Sequence, residues 1–272
     1  MVVQHNMQAV NTNRMLGTNV KAVAKATEKL SSGYAVNRAA DDAAGLSISE
    51  KMRNQIRGIN QAVKNSEDGV SLIQTAEGNM NEIHSILQRM GELATKAAND
   101  VNASEDRTAI ADEMTELREE INSIASKAAF NGTKLLTGSF TSKYLQVGAN
   151  SGENMKVSIS SMTATKLGLT AAAIKVSSHA LASSAMTKIS DAIKTVSAAR
   201  SKLGAIQNRL DYTINNLNNY SENLTSAESQ IRDTDMASEM TNYTKNNILQ
   251  QAAQSMLAQA NQSTQGVLSL LG

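Results

Sequence analysis

Apolar residues recur along most of this chain at alternating spacings of three and four, the pattern of helices packed along a seam. The first run is Ala9, Asn13, Leu16, Val20, Val23, Thr27 and Leu30, and Ser31-Ser32-Gly33 interrupts it. Asn13 and Thr27 are polar, so this seam is weak by itself. The second run is Met52, Ile56, Ile59, Val63, Ser66, Val70, Ile73, Met80, Ile83, Leu87, Met90, Ala94 and Ala97. It predicts a helix over about 42–98, roughly 85 Å long at 1.5 Å per residue. After a turn at 99–103, Ser104 is placed to cap a third helix whose seam is Ile110, Met114, Leu117, Ile121, Ile124 and Ala128.

The period then shortens. After Phe130-Asn131-Gly132, alternation in Leu145 and Val147 and in Met155, Val157 and Ile159 predicts a hairpin around GANSGEN. Residues 160–178 carry no period and support no assignment. The helical seam returns through Met186, Ile189, Ile193, Val196, Arg200, Leu203, Gln207, Leu210, Ile214, Leu217, Ser221, Leu224, Glu228 and Ile231. Its polar members cost stability and are expected to fix register. A break at 232–235 precedes a last helix with Leu249, Ala252, Met256, Ala260, Ser263, Val267 and Leu270 on one seam.

The layout is mirrored: short helix, long helix, a small β excursion, long helix, short helix. The fold class expected is mainly α. An elongated helical bundle or coiled coil over 42–232 carries a small β region at about 130–178. Residues 1–41 and 233–272 form a separate domain of paired terminal helices. The chain finishes on Val267, Leu268, Leu270 and Leu271, where free ends are ordinarily polar. Such residues leave water only if the other terminus, neighbouring copies or both cover them. Where neighbouring copies supply that cover, the residues expected to carry the assembly are Leu16, Val20, Val23, Leu249, Met256, Val267 and Leu270.

Composition agrees. Aromatics are 3% of the chain, with no Trp, so Ala, Leu, Ile, Val and Met must do the packing. Proline is absent, which permits very long helices. With no cysteine, disulfides, thiolate metal sites and a Cys nucleophile are excluded. The net charge of +1 gives no long-range attraction to nucleic acid or to an anionic membrane. The N-terminus MVVQHNMQAV lacks the charged leader and apolar core of a secretory signal. No apolar run approaches the ~20 residues of a membrane span.

Catalytic chemistry finds no foothold. His5, His84 and His179 lie in separate segments with no ligand-spaced partner, so no metal or cofactor is expected. Asp41-Asp42 sits among alanines and is read as a helix start and subunit contact rather than a catalytic pair. Gly17, Gly33 and Gly45 form no phosphate loop. The chain is not expected to be an enzyme.

Three segments carry a family resemblance: LSSGYAVNRAADDAAG at Leu30–Gly45, FNGTKLL at Phe130–Leu136, and ILQQAAQSMLAQAN at Ile248–Asn261 with VLSLL at Val267–Leu271. The chain resembles bacterial flagellin over nearly its whole length, in a short, core-only form, and its MVVQHN start is similar to Firmicute members. The resemblance implies an inner-core domain built from both termini, an outer core between them and polymerisation into an extracellular flagellar filament for motility. It implies type III export without a cleaved signal, with an export chaperone, a filament cap and hook-associated proteins as partners. It also implies recognition by a host Toll-like receptor, carried by Arg89, Leu93 and Glu113 within QRMGELA and the next helix. Gly91 stands where that family usually has Arg. Leu93 also continues a stripe with Leu72 and Ile86, which reads equally well as buried packing. A hook–filament junction protein and a coiled-coil signalling rod are the alternative readings.

Overall fold

The computed structural model describes the backbone of residues 6–271 and the side chains of residues 6–263. Helices α1 (Met7–Ser32), α2 (Ala43–Ala97), α3 (Ser104–Lys127), α4 (His179–Arg232) and α5 (Met236–Leu271) make up most of it. Between α3 and α4 lie two short antiparallel pairs. Strand β1 (Ala129–Phe130) pairs with β2 (Thr133–Lys134), and β3 (Lys143–Gln146) with β4 (Asn154–Val157). The fold is mainly α with a small β region, as the periodicity predicts. Two compact units form: unit 1 from residues 1–55 and 222–272, and unit 2 from residues 56–221. Helices α2 and α4 contribute to both.

Unit 2 holds the large core. Within it α2 buries Ile73, Ala76, Met80, Ile83, Leu87, Met90, Ala94 and Ala97. These eight alternate in spacing between three and four, a heptad seam. From α3 come Ile110, Met114, Ile121 and Ala125. On α4 the buried stripe is Ala182, Ala185, Ile189, Ala192, Val196, Leu203 and Leu210. It starts on alanines rather than on the expected Met186, which is exposed. Alanine is the smaller contact and lets the helix backbones approach closely, so at two positions the expected Met186 and Ile193 give way to Ala185 and Ala192, while Ile189, Val196, Leu203 and Leu210 are buried as expected. Two of the polar seam members, Arg200 and Ser221, find partners on α2 within this unit. Arg200 Nη2 lies 3.4 Å from Glu77 Oε1, and Ser221 Oγ donates to Asn60 Oδ1 at 3.1 Å. Residue numbers rise on α2 as they fall on α4, so the two helices pair antiparallel here.

The β region is a lid on this core. Asn131 (φ 46°) and Gly132 (φ 75°) take left-handed conformations, which close β1 onto β2 in a two-residue turn. Asn and Gly are the residues that tolerate that geometry. The turn delivers Leu135 and Leu136 to the core with no exposed surface. Residues 160–178, silent in the sequence, form successive turns that bury Met162, Leu167, Leu169, Ile174 and Val176. Their backbone is tied by Met162 N–H to Leu136 O at 2.9 Å and by Ala164 N–H to Asn122 Oδ1 at 3.0 Å. One local expectation is corrected. Ser104 does not cap α3 but is its first residue; Ala103 precedes it, and the Asp106 carboxylate accepts the Ala103 N–H at 3.2 Å.

Glycines inside the long helices give a test of this packing. A Cβ at Gly204 of α4 meets nothing within 4 Å, whereas one at Gly58 of α2 meets Ala149 Cβ at 2.8 Å. Gly204→Ala is expected to stabilise unit 2 by about 1 kcal/mol from helix propensity. Gly58→Ala should forfeit that gain and lower the urea midpoint.

Candidate functional site

Unit 1 pairs α1 with α5, joined by the adjoining ends of α2 and α4, and has little of its own to bury. Among the described residues its buried apolar side chains are Ala26, Val36 and Ala260. Asn6 ties the two ends together. Its Oδ1 caps α1 by accepting Ala9 N–H at 3.1 Å, and its Nδ2 donates to Ala260 O on α5 at 2.9 Å. The half-buried stripe of α1 is Ala9, Thr12, Leu16, Asn19, Ala22, Val23 and Leu30, with Ala26 at its centre. That of α5 is Tyr243, Asn246, Asn247, Gln250, Ala253, Leu257 and Ala260.

These stripes correct the expected seam. Leu16 and Val23 do face the paired helix, but Val20 is exposed. On α5, Leu249 (42% exposed) and Met256 (61%) lie outside the pairing stripe. They are seven apart and share one face. The sequence places Leu249 and Met256 on one seam with Ala260; in the structure Ala260 pairs with α1 while Leu249 and Met256 stay in water. Val267 and Leu270 fall among the residues whose side chains are not described. Met7, Val10, Met15, Met236, Met240 and Ile248 are exposed on the same two helices. The pair therefore presents much more apolar surface than it covers.

The connections between the helices of unit 1 are closely built. Gly33, with φ 78°, ends α1 in the left-handed cap position, and its N–H reaches Lys29 O at 2.8 Å. The two chain connections then cross-bond. Ala35 N–H donates to Arg232 O at 2.7 Å, and Thr234 N–H to Gly33 O at 3.0 Å. The Arg232 guanidinium lies 4.6 Å above the Tyr34 ring and pairs with Glu50 at 3.0 Å. Ser49 Oγ donates to Glu228 Oε1 at 3.0 Å. Asp42 caps α2 by accepting Gly45 N–H at 2.9 Å, the helix-start role expected of one of the two aspartates.

Asp41 does something else, which no local pattern revealed. Its carboxylate receives Lys25 Nζ at 2.8 Å and the backbone N–H groups of Arg38 at 3.1 Å and Asn37 at 3.3 Å. The Lys25 hydrogen bond, with the Arg38 and Asn37 amides, holds its pKa down to about 2. Lys25 is raised in turn, chiefly by the hydrogen bond to Asp41. Asp41 thus staples the 34–42 connection onto α1.

In unit 2 the three residues expected to meet a receptor are brought to one groove but not to one exposure. Arg89 Nε and Nη2 both donate to Glu113 Oε1, at 3.0 and 2.9 Å, and Nη1 reaches Glu92 at 3.2 Å. Both charges are open to solvent beside a groove of about 470 Å³. Leu93 is 3% exposed and belongs to the core. As a direct contact it is corrected to packing beneath the ion pair; the stripe it shares with Leu72 and Ile86 was the signal. Of the histidines, His179 Nδ1 lies 2.7 Å from Ala98 O at the end of α2, and His84 Nε2 lies 3.2 Å from Gln88. His5 falls outside the described residues. Among the described residues no three His, Cys, Asp or Glu side chains are grouped to hold a metal ion, and no helix is long and apolar enough to cross a membrane.

Comparison with known proteins places these features. Residues 3–141 match the bacterial flagellin N-terminal helical region, and residues 186–271 match the bacterial flagellin C-terminal helical region. A flagellin of Halalkalibacterium halodurans is 53% identical over the full length of both chains. Flagellins of Bacillus subtilis (47%) and Treponema pallidum (46%) also match over all of both chains. Among solved structures, Bacillus cereus flagellin superposes with a TM-score of 0.51 at 31% identity, covering 57% of this chain and 88% of that one.

The Asp41 staple generates a pH prediction. A carboxylate whose folded pKa lies below its ordinary 3.8 adds stability above about pH 4, and that contribution is lost as pH falls toward about 2. Pepsin cleavage within 34–42 should therefore accelerate over that window. Asp41→Asn should show the faster cleavage from the start of the window, with far-UV circular dichroism unchanged.

Proposed function

The chain belongs to the bacterial flagellin family and is a structural subunit of the flagellar filament, and from this we propose how its two units divide the work. Unit 1 acts as the inner core and unit 2 as the outer core. The observation that carries this reading is the imbalance in unit 1. It buries little more than Ala26, Val36 and Ala260, while Val10, Val20, Ile248, Leu249 and Met256 stay in water. Neighbouring copies supply the cover. At about 25 cal/mol per Å² of apolar area removed from water, a face of bulky side chains rewards association more than it rewards pairing within one chain. Subunits reach the growing end by type III export, with an export chaperone before secretion and the filament cap and hook-associated proteins at assembly.

Assembly and intrachain pairing are separable because they use different faces of α5. Leu249→Asp or Met256→Asp puts a charge where a second copy must dock, and burying it unpaired is costly. Each should abolish seeded polymerisation, read by light scattering and electron microscopy, while the monomer keeps its helicity. Ala260→Asp strikes the pairing face and should lower monomer helicity as well. Normal filaments from Leu249→Asp would overturn the assigned face.

We further propose that a host Toll-like receptor reads the exposed Arg89–Glu113 pair on unit 2, with Leu93 holding the surface from below. Arg89→Ala with Glu113→Ala should lower receptor signalling by monomer and shift stability by under about 0.5 kcal/mol, since both groups are solvated. A Cβ at Gly91 would meet only Ile189 Cγ2, at 3.8 Å. A Cβ at position 91 thus meets only an ordinary contact, and Gly91→Arg should raise signalling. Unchanged signalling by the double variant would overturn the assignment.

A further inference from the structure

The methionines of this chain are partitioned in a way the packing alone does not require. In unit 2, Met80, Met90, Met114, Met155 and Met162 are between 0 and 6% exposed, and Met186 alone among the described methionines of that unit is open, at 37%. In unit 1, Met7, Met15, Met236, Met240 and Met256 are between 48 and 72% exposed. The chain has no cysteine and no tryptophan, so no thiol or indole competes for an oxidant. A thioether is then the most readily oxidised side chain present. The oxidisable atoms open to solvent are thus concentrated on the helices that the proposed assembly must cover.

We infer that Met7, Met15, Met236, Met240 and Met256 are sulfoxidation sites, and that their oxidation by a peroxide-class oxidant blocks addition of the subunit to a filament. In each event a sulfur lone pair attacks one oxygen of the peroxide and the O–O bond breaks. An S–O bond forms, sulfur loses two electrons, and the peroxide is reduced to water. The product is a polar, chiral sulfoxide in place of a flexible apolar group. At Met256 it lies on the Leu249 face, one helical repeat away. A sulfoxide there must surrender its hydration on docking without an assured donor, which opposes burial as an unpaired hydroxyl would. The buried methionines of unit 2 react only when that unit opens, and its exposed Met186 lies outside the buried stripe of α4, so the outer core survives the oxidant that disables the ends. Once a neighbour covers unit 1, the same sulfurs are shielded. Sensitivity therefore belongs to the free subunit, and the change is reversible by enzymatic reduction of the sulfoxide with a dithiol, which returns the thioether and releases water.

This inference rests on the assembly face proposed above, and its test separates the two. Full-length monomer is treated with hydrogen peroxide, sulfoxides are mapped by peptide mass spectrometry, and seeded polymerisation is followed by light scattering. The expected result is oxidation of the five unit 1 methionines about tenfold or more faster than of Met80, Met90 and Met114. Polymerisation should fall in proportion and return after treatment with the two epimer-specific sulfoxide reductases and dithiothreitol. Filaments exposed to the same peroxide should show the five sites protected. A Met7→Leu, Met15→Leu, Met236→Leu, Met240→Leu, Met256→Leu variant should polymerise and resist peroxide. Should that variant polymerise poorly, reductase rescue of the parent decides the matter. Failure of untreated parent to polymerise would overturn the assembly reading and the inference with it. Normal polymerisation of parent carrying the mapped sulfoxides would overturn the inference alone, as would peroxide inactivation of the leucine variant.

Discussion

Everything distinctive about this chain follows from an unequal division of apolar burial between its two units. Unit 2 closes a heptad seam of α2 against α3 and α4 and roofs it with the 129–178 segment. Unit 1 pairs α1 with α5, adds only the ends of α2 and α4, and has three buried apolar side chains among its described residues. The α1–α5 pair cannot enclose a core, because each helix faces one partner and its remaining faces stay wet. A subunit that is stable in the middle and unsatisfied at its ends is suited to polymerise, since the missing partner is another copy of the same surface. About three-fifths of the chain folds around its own core, and on the proposed reading neighbouring copies cover the rest.

The joints of unit 1 are built accordingly from polar chemistry. Lys25, Asp41, Arg232, Glu50 and Tyr34 form charge-assisted and cation–π contacts around the two connections. Such contacts are directional and specify one arrangement of the chain while adding little net burial. Where hydrophobic packing is thin, they set the path by which α1 and α5 leave the long helices.

The sequence made the helices and the β region legible because their periods differ, and a period of three and four cannot be mistaken for one of two over many residues. It made the unpaired stripe of α5 legible too, through Leu249 and Met256. It did not separate that stripe from the pairing face. Intrachain pairing runs through Leu16, Val23, Leu30 and Leu257, but between them through Ala22, Ala26, Ala253, Thr12, Asn19 and Asn246, residues that carry no strong hydrophobic signal. Small residues announce themselves by what they allow to approach, which a one-dimensional pattern does not show. The Asp41 staple was hidden for another reason. Its partners sit 16, 3 and 4 positions away and come together only once the 34–42 connection has turned. Residues 160–178 were silent because turns held by isolated backbone bonds have no period.

The bond from Asn6 to Ala260 spans 254 positions. A contact so distant in the chain carries a kinetic consequence. Closing a flexible loop of that length costs about 5 kcal/mol of entropy, and a few weak contacts cannot offset it. Residues 56–221 must therefore condense first, drawing Asn60 and Ser221 together and removing most of the intervening chain from the loop. Only then do the ends meet cheaply enough to pair. During synthesis α1 emerges more than two hundred residues before its partner helix exists, so the polypeptide leaves the ribosome with unit 1 unformed. Contact order thus supplies an interval in which the terminal segments are still linear and can be handled as a thread.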